Sequence, residues 1–442
     1  MSDRVDVEQH RQDVAELLAG LAPRPVELVP VSATLLGRVL AHDVTAPGPL
    51  PRFRNSQMDG FAVRAADVAG ASADAPVDLP VAGEVAAAPG EPAPLAPGTA
   101  VRIMTGAPVP TGADAVIPVE DTDARTFNRP TAADRVRIVR SRAAGEYVRE
   151  AGSDVAPGDL VLPADTVLAP HHVAAAAACG LGGLPVHAPV RVAILSTGSE
   201  LVAPGEPAGP GQVWDANTAA LAAAVTDAGG TVVTTGRTGD DPAALRAALA
   251  AASAAGAELV ITSGGVSQGA YEVVKEALAG VTFRSVAMQP GGPQGLGVVD
   301  GMPVLTFPGN PVSAQVSFVV LVRDALRSLG GLPPVPRLGA TLAQAVVSPA
   351  SRRQLLRGRL RPSAEVVPSS DGGTTSAGHE RRDSDLVGRG HYLVEVVGGA
   401  GSHLVASMAA ADVLIDVPAE VTGLEPGDQV TVWPLHSERW GR

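Results

Sequence analysis

The chain has 442 residues, 45% hydrophobic but only 3% aromatic, with a formal charge of −13. That length predicts several domains, with cores built from Ala, Val and Leu. The acidic balance argues against nucleic acid as a partner, and a single cysteine, Cys179, excludes a disulfide framework or a thiolate zinc cluster. The amphipathic N-terminus has no signal h-region and no apolar run is long enough to span a membrane, so a soluble cytoplasmic protein is expected.

In chain order, Val7, Val14, Leu17, Leu18 and Leu21 mark one face of a first helix that Pro23 and Pro25 end, and a second short helix is expected over Leu35–Ala41. Short β-prone runs between Pro/Gly turns follow, such as Ala100–Met104 and Ala115–Val119. They predict an all-β domain over 46–144, inserted into a mixed N-terminal linker domain made of 1–45 and 145–185. An Ala-rich helix holds Cys179 in the role of a buried, inert thiol. His171 and His172, just after Pro170 at a helix start, read as structural or surface residues rather than metal ligands.

Over 186–330 strands and helices alternate, predicting a three-layer α/β domain with a mostly parallel sheet. Strands are expected at Arg191–Thr197, Thr231–Thr235, Glu258–Ser263, Val281–Met288 and Val304–Phe307. Helices are expected at Asn217–Ala228, Pro242–Ala255, Tyr271–Ala279 and Pro311–Leu326. Residues 331–442 read as a β-barrel-like domain with a polar loop over Ser363–Arg382.

In such a sheet the ligand lies at the carboxyl ends of the strands. Those ends carry Ser196, Thr197, Gly198 and Glu200, then Ser263, Gly264, Gly265 and Ser267, then Pro308, Gly309, Asn310, Pro311 and Ser313. Small residues, hydroxyls and glycines in three loops on one edge suit backbone contact with phosphate. Asn310 is a candidate N-cap with Pro311 at the first helical position, a helix end that attracts an oxyanion; a well-capped helix and nothing more is the alternative. Carboxylates beside this edge are Glu200, Asp215, Asp240, Asp241 and Glu272. Glu200, Asp240 and Asp241 are the candidate Mg²⁺ ligands, since Mg²⁺ takes one or two carboxylates plus substrate phosphate. Asp240 and Asp241 also precede Pro242, where an aspartate can cap a helix. Gly292–Gly297 leads into a hairpin at Val298–Gly301 and is not a dinucleotide fingerprint.

The loops S-T-G-S-E-L (196–201), S-G-G-V-S-Q-G (263–269) and P-G-N-P-V-S (308–313) resemble those of the MoeA/gephyrin E-domain family of molybdenum-insertion proteins. N-S-Q-M-D-G-F-A-V-R (55–64), R-I-M-T-G-A-P-V-P-T-G-A-D-A-V (102–116), G-S-D-V-A-P-G-D (152–159) and G-S-H-L (401–404) resemble the same family. The resemblance implies a homodimer whose active site is shared between subunits. It implies a reaction that inserts molybdate into adenylylated molybdopterin and releases AMP, with Mg²⁺ as cofactor. It makes a molybdopterin adenylyltransferase and apo-molybdoenzymes the expected partners. By motif, Asp59 and Thr105 would come from the partner's β domain, and Glu200, Asp240 and Glu272 would be acidic site residues. Asp154 would hold the site edge or a domain interface, and Pro290, Arg357 and Ser402 would help hold the anion. A gephyrin-like scaffold that binds a partner peptide near the dimer interface is the alternative.

The chain departs from that pattern in two places. Glu272 stands where an aspartate is usual. Gln289 and Gly292, in M-Q-P-G-G-P (288–293), replace both lysines of the family's Lys-Pro-Gly-Lys-Pro. The chain has one lysine, Lys275, against 32 arginines, a bias that would explain arginines there but not a neutral pair.

Overall fold

The computed structural model describes residues 4–123, 135–266, 277–362 and 392–436. Ser267, Glu272, most of the expected helix at Tyr271–Ala279 and the polar loop over Ser363–Arg382 lie outside them. The chain divides into two compact units: Met1–Glu27, Gly37–Val39 and His187–Arg442 form one, and Leu28–Leu36 with Leu40–Val186 the other.

The first unit begins with α1 (Val7–Ala19), capped by Asp6, whose carboxylate accepts from the Glu8 and Gln9 N–H groups. The stripe Val7, Val14, Leu18 is buried in the core of the α/β layers. The first helix was expected to belong with 145–185, but its apolar face is covered by the α/β unit instead.

The second unit carries a five-stranded sheet: β1 (Gly60–Val63), β2 (Val77–Val85), β3 (Ala100–Ile103), β4 (Ala115–Pro118) and β5 (Arg135–Ile138), in the order β4-β1-β3-β2-β5. Its two faces bury separate clusters, Phe61, Val63 and Ile117 on one and Ala62, Ile103 and Val116 on the other. The helix expected over Leu35–Ala41 is a single 3₁₀ turn, Ala33–Leu35. Gly37 then sits at φ +74 and ends it. Farther on lies α2 (Pro170–Ala178), where the His172 Nδ1 accepts from the Ala169 N–H, a structural role at the helix start. Cys179 caps α2 half-buried, less enclosed than expected, because the chain turns outward at Gly180 (φ +77).

In the first unit the chain continues as β6 (Arg191–Thr197), α3 (Ala216–Asp227), β7 (Thr231–Thr238), α4 (Pro242–Ala254), β8 (Leu259–Ser263), β9 (Val281–Ser285), β10 (Pro293–Val299) and β11 (Met302–Phe307). The sheet order is β7-β6-β8-β11-β10-β9. Side chains alternate between the faces. Val192, Ile194, Ile261, Leu305 and Phe307 meet α1, α3 and the helix after β11. Ala193, Leu195, Val260 and Val304 meet α4. The first four strands in that order are parallel, but β10 runs antiparallel to both of its neighbours, β11 and β9. The reason is local: Asp300 (φ 51) and Gly301 (φ 82) close a two-residue turn between β10 and β11, too short for a parallel crossover. After β11, α5 (Pro311–Ser317) widens into a π turn at Phe318–Val322 and continues as α6 (Arg323–Leu329).

A barrel completes this unit: β12 (Leu338–Leu342), β13 (Arg353–Pro362), β14 (Tyr392–Val396), β15 (Val413–Val417) and β16 (Gln429–Pro434). Their order is β13-β14-β12-β16-β15, and the β13–β15 pairing closes the ring around Leu356, Val394, Ile415 and Val432. Met288–Gln289 adds a parallel strand beside the start of β13.

Candidate functional site

Parallel register puts Ser196 of β6 beside Ser263 of β8, and Ser263 beside Phe307 of β11, so the three Gly-rich loops leave one sheet edge. Beneath them lies a buried network. Ser196 Oγ reaches Asp215 Oδ1 at 3.0 Å, Thr218 Oγ1 at 2.9 Å and Ser263 Oγ at 3.3 Å. Asp215, only 2% exposed, caps α3 by accepting from the Thr218 N–H at 3.1 Å, and its second oxygen accepts from the Thr218 hydroxyl at 2.6 Å. Thr197 Oγ1 donates to the Ser263 carbonyl at 3.3 Å. These hydroxyls therefore hold the loops to one another.

Asn217 Nδ2 donates to the Gly309 carbonyl at 2.8 Å, while its buried Oδ1 has no partner among the described residues. Gly264 sits at φ +92 with its N–H on the Phe307 carbonyl; a Cβ there would meet the Thr197 carbonyl oxygen at 2.3 Å. A Cβ on Gly309 would lie 3.4 Å from Gly264, so two of the loops meet backbone to backbone.

The acids divide by role. Asp240 Oδ2 accepts from the Ser199 hydroxyl at 2.8 Å, and the Ser199 Oγ accepts in turn from the Asp240 N–H at 3.2 Å. Glu200, exposed, lies with its carboxylate against the loop, since a Cβ at Gly198 would come within 2.5 Å of it. Asp241 caps α4, accepting from the Ala243 N–H at 2.9 Å. Among the described residues no three His, Cys, Asp or Glu side chains converge as a metal site. Glu200 and Asp240, on the loops that follow β6 and β7 and joined through Ser199, are nonetheless carboxylates of the type that suits Mg²⁺ when a ligand's phosphate oxygens complete the set.

The start of α5 differs from the sequence reading. Asn310 has cap-like backbone angles but makes no side-chain capping bond. Ser313, 3% exposed, faces a cavity of about 420 Å³ also lined by Ser285, Gln289, Pro290, Gly291, Gly292, Ser402 and His403, together with Arg4 and Arg352. Among the described residues neither an aspartate nor a glutamate lines it. Its floor is braced by Gln294 Nε2, which donates to the Gly291 carbonyl at 2.6 Å and to Ser317 Oγ at 2.7 Å; Ser317 in turn donates to the Ser313 carbonyl.

Arg357 does not line this cavity. It is 3% exposed, and its guanidinium donates to the carbonyls of Val397, Gly399 and Gly401, the loop that leads to Ser402. Burial pulls its pKa below the usual arginine value. The arginines at the cavity are Arg4 and Arg352, the second of which sequence alone grouped with Arg353 as basic surface. Arg353 is spent on ion pairs with Asp416 and Glu8. Burial opposes its charge, but the Asp416 pair outweighs that and raises its pKa.

Asp59 and Thr105, in the second unit, meet each other: the Thr105 N–H and hydroxyl both donate to Asp59 Oδ1, at 2.7 and 2.9 Å. Asp154, in the same unit, lies in a turn where its N–H donates to the Leu50 carbonyl. Sequence reasoning missed Ser285, Arg4, Arg352 and His403 at the cavity and Thr218 in the network. Only Thr218 had a signal, the Asp-Ala-Asn-Thr cap at 215–218.

Residues 5–180 match the family described as MoeA N-terminal region (domain I and II), 193–328 the probable molybdopterin binding domain, and 385–435 the MoeA C-terminal region (domain IV). The chain is 43% identical over 440 residues to molybdopterin molybdenumtransferase 2 of Mycobacterium tuberculosis (strain ATCC 25618 / H37Rv), covering 97% of this chain and 99% of that one. It is 36% identical to molybdopterin molybdenumtransferase 1 of the same strain, over 94% of this chain and 95% of that one. The structure titled molybdopterin biosynthesis moea protein from Pyrococcus horikosii superposes with a TM-score of 0.72 at 31% identity, covering 98% of this chain and 99% of that one. From end to end, then, the chain belongs to the MoeA family.

Proposed function

We propose that the protein is a molybdopterin molybdenumtransferase, which inserts molybdate into adenylylated molybdopterin and cleaves the pyrophosphate to release AMP. The observation that carries this reading is the full-length match to curated relatives bearing that name, 43% identical over 97% of the chain. A scaffold without catalysis is not favoured, because the relatives matched over their whole length are named as transferases.

In this reading the glycine-rich edge at Gly198, Gly264, Gly265 and Pro308–Pro311 holds the pterin and its phosphates by backbone contact. The unpartnered Asn217 Oδ1 offers an acceptor to a ligand N–H. Glu200 and Asp240 would hold Mg²⁺, which when bound neutralises charge on the pyrophosphate. The cavity at Pro290, Ser313 and Ser402 takes molybdate, with Arg352 as its cation and Arg357 as the residue that positions Ser402. Asp59 and Thr105 complete the site from a second copy of the chain in a homodimer. The division into an inserted β domain (46–144), a molybdopterin-binding domain (186–330) and a C-terminal β domain (331–442) belongs to the same proposal. No described helix is long and apolar enough to cross a membrane, and a cytoplasmic setting fits the reaction.

The test is anaerobic turnover with adenylylated molybdopterin, Mg²⁺ and a molybdate titration, following AMP and the activation of a molybdenum-free reporter enzyme. Molybdate-dependent AMP release with reporter activation is the expected result. Tight binding of the adenylylated pterin without turnover would overturn the transferase reading.

A further inference from the structure

The cavity has an uneven supply of charge. Two of its lining positions, Gln289 and Gly292, are neutral, and His403 is exposed at the edge. The remaining cations are Arg352, which precedes β13, and Arg4, some 280 residues before Gln289 in sequence.

Arg4 reaches the cavity because the residue after it is clamped. The Val5 N–H donates to the Ser285 carbonyl at 2.9 Å, and the Ala287 N–H donates to the Val5 carbonyl at 2.8 Å, so Val5 bridges Val286 as a parallel strand would. Ser285 and Val286 line the cavity themselves. Asp6 then caps α1, and Val7 is buried at 2% exposure. The backbone on the C-terminal side of Arg4 is therefore fixed for three residues.

Arg4 also has nothing else to do. By contrast, Arg11 and Arg353, which both pair with Glu8 of α1, are also paired with Asp324 and Asp416 respectively. Among the described residues Arg4 makes no ion pair and no hydrogen bond, in a chain with 46 acidic residues. An exposed guanidinium whose backbone is anchored beside a cavity with serine hydroxyls and, among the described residues, no carboxylate is free to meet a tetrahedral oxyanion, which accepts its paired N–H groups in parallel.

We propose that Arg4 is an anion-binding residue of this cavity, supplying from the N-terminal segment the positive charge that Gln289 and Gly292 lack, for an oxyanion of the molybdate class. The assignment rests on the transferase reading for the anion's identity, and on the cavity alone for its charge.

The test uses the full chain and molybdate as the probe, read twice: by equilibrium binding and by the molybdate dependence of AMP release. Arg4→Ala should raise the molybdate Kd by about tenfold, the order of one lost charge-assisted contact, and raise half-saturation in step, with a smaller effect on kcat. Arg4→Lys should recover part of the affinity. Adding Gly292→Lys to Arg4→Ala should recover more, since a Cβ at Gly292 meets only ordinary contacts, the nearest at 3.5 Å. Arg246→Ala, an exposed arginine on α4, controls for net charge. An unchanged Kd in Arg4→Ala, an equal loss in Arg246→Ala, or no molybdate binding by the wild-type chain would each overturn the assignment. Arg4-dependent molybdate binding with no AMP release would instead overturn the transferase reading and leave Arg4 as an oxyanion residue.

Discussion

Gly264 and Asp215 carry the sheet edge in opposite ways, one by having no side chain and one by having a charged one. Gly264→Ala would drive a Cβ to 2.3 Å from the Thr197 carbonyl at a φ of +92. The expected cost is at least about 2 kcal/mol in denaturant unfolding, with loss of AMP release. Asp215→Ala would strip the acceptor from the Ser196 and Thr218 hydroxyls and from a helix N–H. Three polar groups would be left short of partners, and about 2–3 kcal/mol of stability should be lost. A melting temperature within a degree of wild type would show that water replaces the carboxylate. Glycines and hydroxyls at strand ends were legible in the sequence, because few other reasons put them there. The split among the acids was not, because Asp215, Asp240 and Asp241 all precede or follow a strand or helix end. Only geometry shows that the first ties loops together, the second holds Ser199 and the third caps α4.

At the scale of elements, α1 has a second property beyond its place in the core. His10 on its buried face is 1% exposed, and its Nδ1 has no partner among the described residues. Burial, then the nearby Arg284, lower its pKa from 6.5 to about 4, with Asp13 acting weakly the other way. The unfolded chain therefore binds more protons between those two values. Stability is complete above about pH 6.5 and falls as pH drops toward 4. The loss can approach about 3 kcal/mol, at 1.4 kcal/mol for each pH unit across the window. His10→Leu should flatten the fall in melting temperature between pH 7 and 4.5, and a slope equal to wild type would assign the acid sensitivity to carboxylates instead. Helical periodicity found α1, α3 and α4 to within one residue or two, because each has an apolar stripe and a polar start. It misread Leu35–Ala41, where five apolar residues surround a glycine that the backbone needs at positive φ. The antiparallel edge was half legible: the Asp300–Gly301 turn could be read as a hairpin, but its effect on strand direction was left undrawn.

The assignment of α1 is also a lesson about the whole molecule. Sequence adjacency suggested that the first helix belongs with its neighbours, yet it packs chiefly on the π turn and α6, some 310 residues farther on. Nothing local to residues 7–19 specifies that partner. Asp59 and Thr105 are likewise bonded to each other within a separate compact unit, and nothing local to them specifies what they serve. The proposed homodimer makes a specific demand here. If the β domain of one copy serves the α/β domain of the other, Asp59→Ala and Glu200→Gln lie in the same site but on different chains. Each variant alone should lose turnover while keeping its melting temperature. Mixed and allowed to exchange, half of the dimers become heterodimers, and each of those holds one intact site and one doubly altered site. Activity should then recover to about a quarter of wild type, from two preparations that are each near zero. Subunits that exchange, as labelled chains would show, without recovering activity would place Asp59 and Glu200 of one chain in one site, and the shared-site arrangement would fall. Recovery near a quarter would show that neither unit of a single chain is catalytically sufficient, and the N-terminal half would then be part of the enzyme's active site as well as of its scaffold.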